Sequence, residues 1–267
     1  MSADHPSSAT VGRLFPALAA SVHPFPARAA ASCALPALAA AGYALPALAG
    51  AGYAAPMFAG ASAKLRGLLA IEDRTADGRG CALTFDDGPH RRGTPAVLEI
   101  LAAAGVSATF FLVGEQVRAN PSLAQEIAAA GHTLGLHCDR HRNLLRLAPW
   151  QVREDIARAE ESIHTATGHK IALYRPPYGI ANAAALRIAR RRCWRTLLWS
   201  HWGRDWEQQA TPDSIAALLT VGAGPGSVLL LHDADDYSAP GSWRNTVAAL
   251  PRVLDELQQR GLAFTAP

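Results

Sequence analysis

Asp86 and Asp87 stand side by side at the end of the apolar run Cys81-Ala82-Leu83-Thr84-Phe85 and are followed by Gly88-Pro89. Two adjacent carboxylates leaving a buried strand repel one another and lose hydration, so they require a cation or an arginine beside them. Read alone, Asp-Asp-Gly-Pro is equally a turn signal. His137 and His141 flank Cys138-Asp139-Arg140. At that i, i+4 spacing a helical turn would place both imidazoles on one face, where they could grip one metal ion. Two histidines and one aspartate leave a fourth position for water, the mark of a catalytic rather than a structural metal site.

Further residues with chemical potential lie at the ends of other apolar runs. Arg175 leaves Ala172-Leu173-Tyr174 and is followed by Pro176-Pro177-Tyr178-Gly179. The prolines stiffen the backbone, so a guanidinium can be aimed at a buried carboxylate while a nearby N–H stays free. Trp199, Trp202 and Trp206 surround Asp205 in sequence; such aromatics are usually core or wall, and sugars stack on aromatic walls. His232 ends the run Val228 to Leu231 and precedes Asp233, a position that in isolation reads as structural.

The elements that must position these groups alternate. Cys81 to Phe85, Val106 to Val113, Thr133 to Leu136, Ala172 to Tyr174, Thr196 to Trp199 and Val228 to Leu231 read as buried parallel strands. Between them fall helical patterns: Val97, Leu98 and Leu101 before Gly105; Leu123 and Ile127 after Pro121; Val152, Ile156, Ala159 and Ile163 between Pro149 and Gly168. Thr211-Pro212-Asp213 opens another helix, and Val247, Leu250, Leu254 and Leu257 mark the last. Repeated β then α predicts an α/β fold, a parallel sheet with helices outside, either doubly wound or closed into a barrel. In both, chemistry collects at the C-terminal strand ends.

The chain has 267 residues, 49% of them hydrophobic, and a formal charge of +3. One sizeable core is expected, and with no long basic run nucleic acid is not an expected partner. The Arg190-Arg191-Arg192 triplet reads as a solvated helix end. Cys33, Cys81, Cys138 and Cys193 are too scattered for a disulfide framework. Upstream, Pro16, Pro26, Pro36, Pro46 and Pro56 recur every ten residues, and no charged side chain occurs from Ala29 to Ala63. Residues 1–63 are thus expected to be a low-complexity Ala/Pro-rich segment, 64–79 a linker and 80–267 the domain that carries the strand-end clusters. Arg13, the apolar Leu14 to Val22 and Ala27-Arg28-Ala29 resemble a signal sequence interrupted by Pro16. Localisation stays open between exported, membrane-associated through this segment, and cytoplasmic; a monomer is expected.

Taken jointly, the ordered strand-end clusters in residues 80 to about 265 resemble the polysaccharide deacetylase, or NodB-homology, domain of carbohydrate esterase family 4. The resemblance implies a distorted (β/α) barrel. It implies that Asp86 is the base, that Asp87, His137 and His141 hold the metal, and that Arg175 orients the base. By the same resemblance the Tyr178 backbone N–H holds the oxyanion, Leu230 lines the acetyl pocket, His232 is the acid, and Asp205 tunes it. Asp205 and Trp206 match the later half of the family's D-x-x-D-W motif, with Trp206 on the substrate pocket. The implied cofactor is one divalent ion, zinc before cobalt or nickel, and the implied partner is an acetylated glycan.

The chain departs from the family pattern at two positions. Cys138 stands where Ser or Thr is usual after the first histidine, and Trp202 replaces the first Asp of D-x-x-D-W, which puts bulk near the cleft. The expected activity is metal-dependent removal of N-linked acetyl groups from a carbohydrate. An O-acetyl esterase and a non-catalytic glycan-binding relic are the alternatives.

Overall fold

A computed structural model describes residue 50 and residues 52–267. Eight strands form one wholly parallel sheet: β1 (Ile71–Glu72), β2 (Ala82–Asp86), β3 (Thr109–Val113), β4 (Thr133–Cys138), β5 (Leu173–Tyr174), β6 (Arg195–Leu197), β7 (His201–Trp202) and β8 (Val228–His232). Their order, β1-β6-β5-β4-β3-β2-β8-β7, is sequential from β2 to β6 as in a β/α barrel, with β8 and β7 continuing from β2 and β1 added beside β6, so that β1 and β7 are the two edges. Arg74, just after β1, makes an isolated antiparallel bridge to Ser227, just before β8. The expected distorted (β/α) barrel is therefore observed as a curled, incompletely closed sheet.

The helices are α1 (Ala63–Leu69), α2 (Gly93–Ala104), α3 (Gly114–Ala119), α4 (Pro121–Ala129), α5 (Pro149–Thr167), α6 (Ala183–Arg191), α7 (Pro212–Thr220) and α8 (Ser242–Gln259). Their boundaries follow local chemistry. Helix α5 starts on Pro149 and stops at Gly168, whose φ of 72° suits a residue without Cβ. Thr211 caps α7 through the Ser214 N–H while the Ser214 hydroxyl reaches back to the Thr211 N–H.

Strand alternation decides what faces the site. In β2, Leu83 and Phe85 join the large core cluster shared with Val97, Leu101, Leu250 and Leu254 of the helices. The intervening Ala82 packs with Phe111, Leu173, Leu197 and Val228 on the concave side. Period two therefore carries Thr84 and Asp86 to the concave face as well.

Residues 64–79 are not a linker. Ser62 caps α1 at the Leu65 N–H, and β1 pairs with β6 in register Ile71 to Thr196. Ile71 is buried, and Glu72 meets Arg195. A two-residue strand is too short to show a hydrophobic period, which is why it is invisible in the sequence. The low-complexity boundary moves too: the Tyr53 hydroxyl donates to the Leu147 carbonyl (2.7 Å) and accepts from the Asn182 amide (2.7 Å). Pro56 falls in a 3-10 turn, Ala55–Ala61. The remaining repeat prolines, Cys33 and the signal-like segment lie outside the described residues. Among the described residues no helix is long and apolar enough to cross a membrane.

Candidate active site

The C-terminal ends of the strands open onto a cleft of about 280 Å³ lined by Asp86, Asp87, His137, His141, Tyr178, Trp199, Trp206, Leu230, His232, Tyr237 and Ser238. Every side chain that the sequence placed at the reaction centre or in the pocket is here except Arg175 and Asp205, which sit directly beneath it.

Arg175 is wholly buried and lies against the Phe111 ring, 4.0 Å from its centroid. Its Nη1 donates to Asp86 Oδ1 (2.7 Å) and Thr84 Oγ1 (2.8 Å), and its Nε and Nη2 donate to the carbonyls of Leu197 and Leu198 (3.0 Å each). A desolvated guanidinium with this many acceptors is fixed in place, and it fixes Asp86 with it. Burial raises the Asp86 pKa, and the Arg175 charge opposes that rise.

His137 ends β4, and His141 follows in an irregular loop rather than in the expected helical turn. The i, i+4 spacing nevertheless brings the rings together because the loop is clamped. Asp155 of α5 accepts the Asp139 N–H (2.8 Å) and Arg142 Nη2 (2.6 Å), while Arg118 of α3 holds the Asp139 carboxylate (2.5 Å). His137 Nε2 and His141 Nε2 each lie 3.5 Å from Asp87 Oδ1. That oxygen is buried and has no hydrogen-bond partner.

Tetrahedral coordination with bonds of about 2.0–2.1 Å needs ligand atoms roughly 3.4 Å apart; both Asp87–histidine separations match, and all three donor atoms lie within 4.8 Å of one another, close enough to share one divalent ion. The His137 Nδ1–H donates to the Arg175 carbonyl (2.8 Å), which leaves the Nε2 lone pair free. Burial lowers both imidazoles to about 3, so they are neutral and able to ligate near neutral pH. Burial also pushes Asp87 up to about 7, and the Asp86 carboxylate adds to the rise. A buried acid so destabilised as an anion is what a bound cation would relieve.

His232 leaves β8 opposite Asp86 in register. Its Nδ1–H donates to Asp205 Oδ1 (2.9 Å), while Asp205 Oδ2 accepts the His232 backbone N–H (2.7 Å) and the Thr246 hydroxyl (2.8 Å). With Nδ1 engaged, Nε2 is the ring's free nitrogen. Burial alone would depress this imidazole, but Asp205, with Asp87 and Asp86 beyond it, carries it up to about 10.

The Arg175-Pro176-Pro177 turn presents Tyr178 at φ 60°. The Gly179 and Ile180 N–H groups are taken by the Pro176 and Pro177 carbonyls (3.0 Å each), so the Tyr178 N–H is the turn's available donor. Gly179 is required here, since a Cβ would lie 2.7 Å from the Trp199 ring.

Trp202 stands near the cleft, as expected, without lining it. It lies on the edge strand β7, 44% exposed, and meets the cleft-lining Trp199 edge-on at 6.5 Å. Cys138 is buried, and burial holds its thiol well above its ordinary pKa, so it is an inert protonated group. The sequence reading missed Tyr237, whose ring stacks on His141 at 4.7 Å. Its one sequence signal is an aromatic residue five positions after His232 in the same strand-end loop.

A buried carboxylate held by an arginine, facing a histidine held by a second carboxylate across one cleft, is an arrangement able to supply the base and the acid that a hydrolase needs. Residues 73–193 match the family described as polysaccharide deacetylase. The chain is 36% identical to a chitooligosaccharide deacetylase of Azorhizobium caulinodans over 68% of its own length and 90% of the relative's. It is 34% identical to a peptidoglycan-N-acetylglucosamine deacetylase of Bacillus cereus, covering 68% of this chain and 84% of that one. A crystal structure of a peptidoglycan N-acetylglucosamine deacetylase in complex with a substituted N-oxidanyl-benzamide superposes with a TM-score of 0.71 at 30% identity, over 76% of this chain and 94% of that one. The chain belongs to the polysaccharide deacetylase family and is an enzyme of that class.

Proposed function

We propose that the protein removes N-linked acetyl groups from an N-acetylated carbohydrate, a chitooligosaccharide or peptidoglycan glycan as named for its relatives, using one divalent cation, zinc by preference. The observation that carries the metal dependence is the buried, unpartnered Asp87 Oδ1, equidistant from two imidazole nitrogens. A two-nitrogen, one-oxygen donor set suits zinc and also accepts cobalt or nickel. The chemistry supplied by an ion in that cradle is Lewis acidity toward the acetyl carbonyl and the attacking water.

The chain's own groups supply the rest. Asp86, oriented by Arg175, takes the proton of the attacking water, and the Tyr178 N–H faces the oxygen on which negative charge develops. His232 protonates the departing nitrogen through Nε2. An amine leaves poorly as an anion, whereas an alkoxide leaves more easily. A histidine held by a buried aspartate and kept protonated is the acid that an amide substrate needs, which supports the N-acetyl reading. Acetate release from N-acetylglucosamine oligomers compared with acetylated xylan tests this reading. The oligomers should be turned over with the higher kcat/KM, and a preference for xylan would assign the O-acetyl esterase instead. The binding-relic reading is not favoured, since the relatives are named deacetylases and side chains able to serve as acid, base and ligands line one cleft.

The acid form of His232 is the working form and is lost as pH rises through its pKa. Removing the Asp205 charge lowers that pKa, because an opposite charge at this distance is worth about 1–3 pH units. Asp205→Asn should accordingly move the alkaline limb of the kcat/KM profile to lower pH and leave the acidic limb in place. An unmoved alkaline limb would remove Asp205 from its tuning role.

A further inference from the structure

The geometry points to Tyr237 as the positioning residue that holds His141 in its metal-binding orientation, an inference that rests on the metal reading above. The two histidines are held in different ways. His137 is locked by its Nδ1–H bond to the Arg175 carbonyl (2.8 Å). His141 has no such lock: its Nδ1 is buried without a hydrogen-bond partner, and its backbone belongs to an irregular loop. Metal-ligating histidines ordinarily take their orientation from a hydrogen bond at the second nitrogen.

Aromatic rings take that place here. Tyr178 meets the imidazole edge-on at 4.4 Å, and Tyr237 stacks on it at 4.7 Å with an interplanar angle of 19°. Tyr178 is 56% exposed, whereas Tyr237 is anchored. Its hydroxyl donates to Glu115 Oε1 (2.6 Å) and accepts from Gln116 Nε2 (3.3 Å) in the first turn of α3. The Glu115 N–H in turn donates to the Asp139 carbonyl (3.0 Å), two residues before His141. Helix α3 thus ties the stacking ring and the ligand loop to one rigid point. The ring sets the imidazole plane, and the tether sets the ring.

The test is zinc affinity of the full chain, measured without substrate by competition with a chromogenic chelator, alongside kcat and KM at limiting and saturating zinc. Tyr237→Leu, which removes the ring, should weaken zinc binding by about 10–100-fold, the usual cost of losing a group that orients a ligand. Its kcat should recover substantially when zinc is saturating. Tyr237→Phe keeps the ring and loses the tether, so its affinity should fall between that of the parent and of Tyr237→Leu. Trp206→Leu alters the cleft wall without touching His141 and should raise KM with zinc affinity unchanged. Parental affinity in Tyr237→Leu, with only KM raised, would overturn the inference and leave the metal reading intact. A parent protein that binds no zinc would overturn both. If circular dichroism shows Tyr237→Leu to be unfolded, Tyr237→Phe and Glu115→Ala carry the test, and parental affinity in both would overturn the inference.

Discussion

Asp87→Ala and His141→Ala are each expected to release the divalent cation and to lower kcat/KM by roughly a thousandfold or more. The size follows from the site's donor count. Three protein ligands become two, and the Lewis acidity thereby lost is worth several kcal/mol, each 1.36 kcal/mol being a factor of ten in rate. Asp87 has the larger effect on the apo protein's electrostatics. It is a buried carboxylate that burial raises to about 7, so its removal relieves desolvation even as it removes a ligand. Asp87→Ala is consequently expected to retain the fold, and thermal melting should show no loss of stability in the metal-free protein. Zinc content after gel filtration reads the outcome. Either variant carrying zinc as tightly as the parent would remove that residue from the ligand set.

His232→Ala is expected to separate metal binding from turnover. The imidazole engages Asp205 through Nδ1 and has no place among the clustered donors Asp87, His137 and His141. Zinc content should therefore stay at the parental level while kcat on an N-acetylated oligosaccharide falls by about 10²–10⁴-fold, the usual worth of general acid–base help. A further consequence concerns substrate: an ester with a good leaving group needs less proton donation, so the variant should lose less activity on an aryl acetate than on an amide. Equal losses on both would mean that His232 acts in some way other than protonating the leaving group.

Where the sequence was legible, the reason is local. Strands β2, β3 and β8 are buried along almost their whole length, so each reads as an unbroken apolar run, and β2 and β8 lead directly to the cleft-lining Asp86, Asp87 and His232. Arg175 announced itself through the prolines that follow it. The illegible parts depend on contacts across the chain. Strand β1 has two residues and exists because β6 offers it an edge. The loop bearing His141 looks helical by spacing, yet its shape is set by Asp155 and Arg118 on two different helices. Tyr237 lies 96 residues from His141 and is tethered to Glu115 across 122 residues. No periodicity encodes such a stack. Trp202 shows a finer limit: its neighbours in sequence place it near the cleft, and only the parallel pairing of β7 with β8 shows that it stands on the edge strand, against the cleft-lining Trp199.

Cys138 illustrates how a departure from a family pattern can be absorbed. A thiol hydrogen-bonds more weakly than a hydroxyl, and the loop after it is instead fastened through the Asp139 backbone N–H to Asp155 and through the Asp139 carboxylate to Arg118. Both fastenings lie outside the side chain of residue 138, so the loop is held without a hydroxyl there.

One divalent ion held by Asp87, His137 and His141 is expected to be required for deacetylation. The direct measurement is metal content by elemental analysis together with acetate release from an N-acetylglucosamine oligomer, before chelation, after it, and after zinc is restored. About one ion per chain, loss of acetate release on chelation, and recovery with zinc in the parent but not in His141→Ala is the expected result. Metal-free protein that releases acetate at an undiminished rate in the presence of chelator would contradict it.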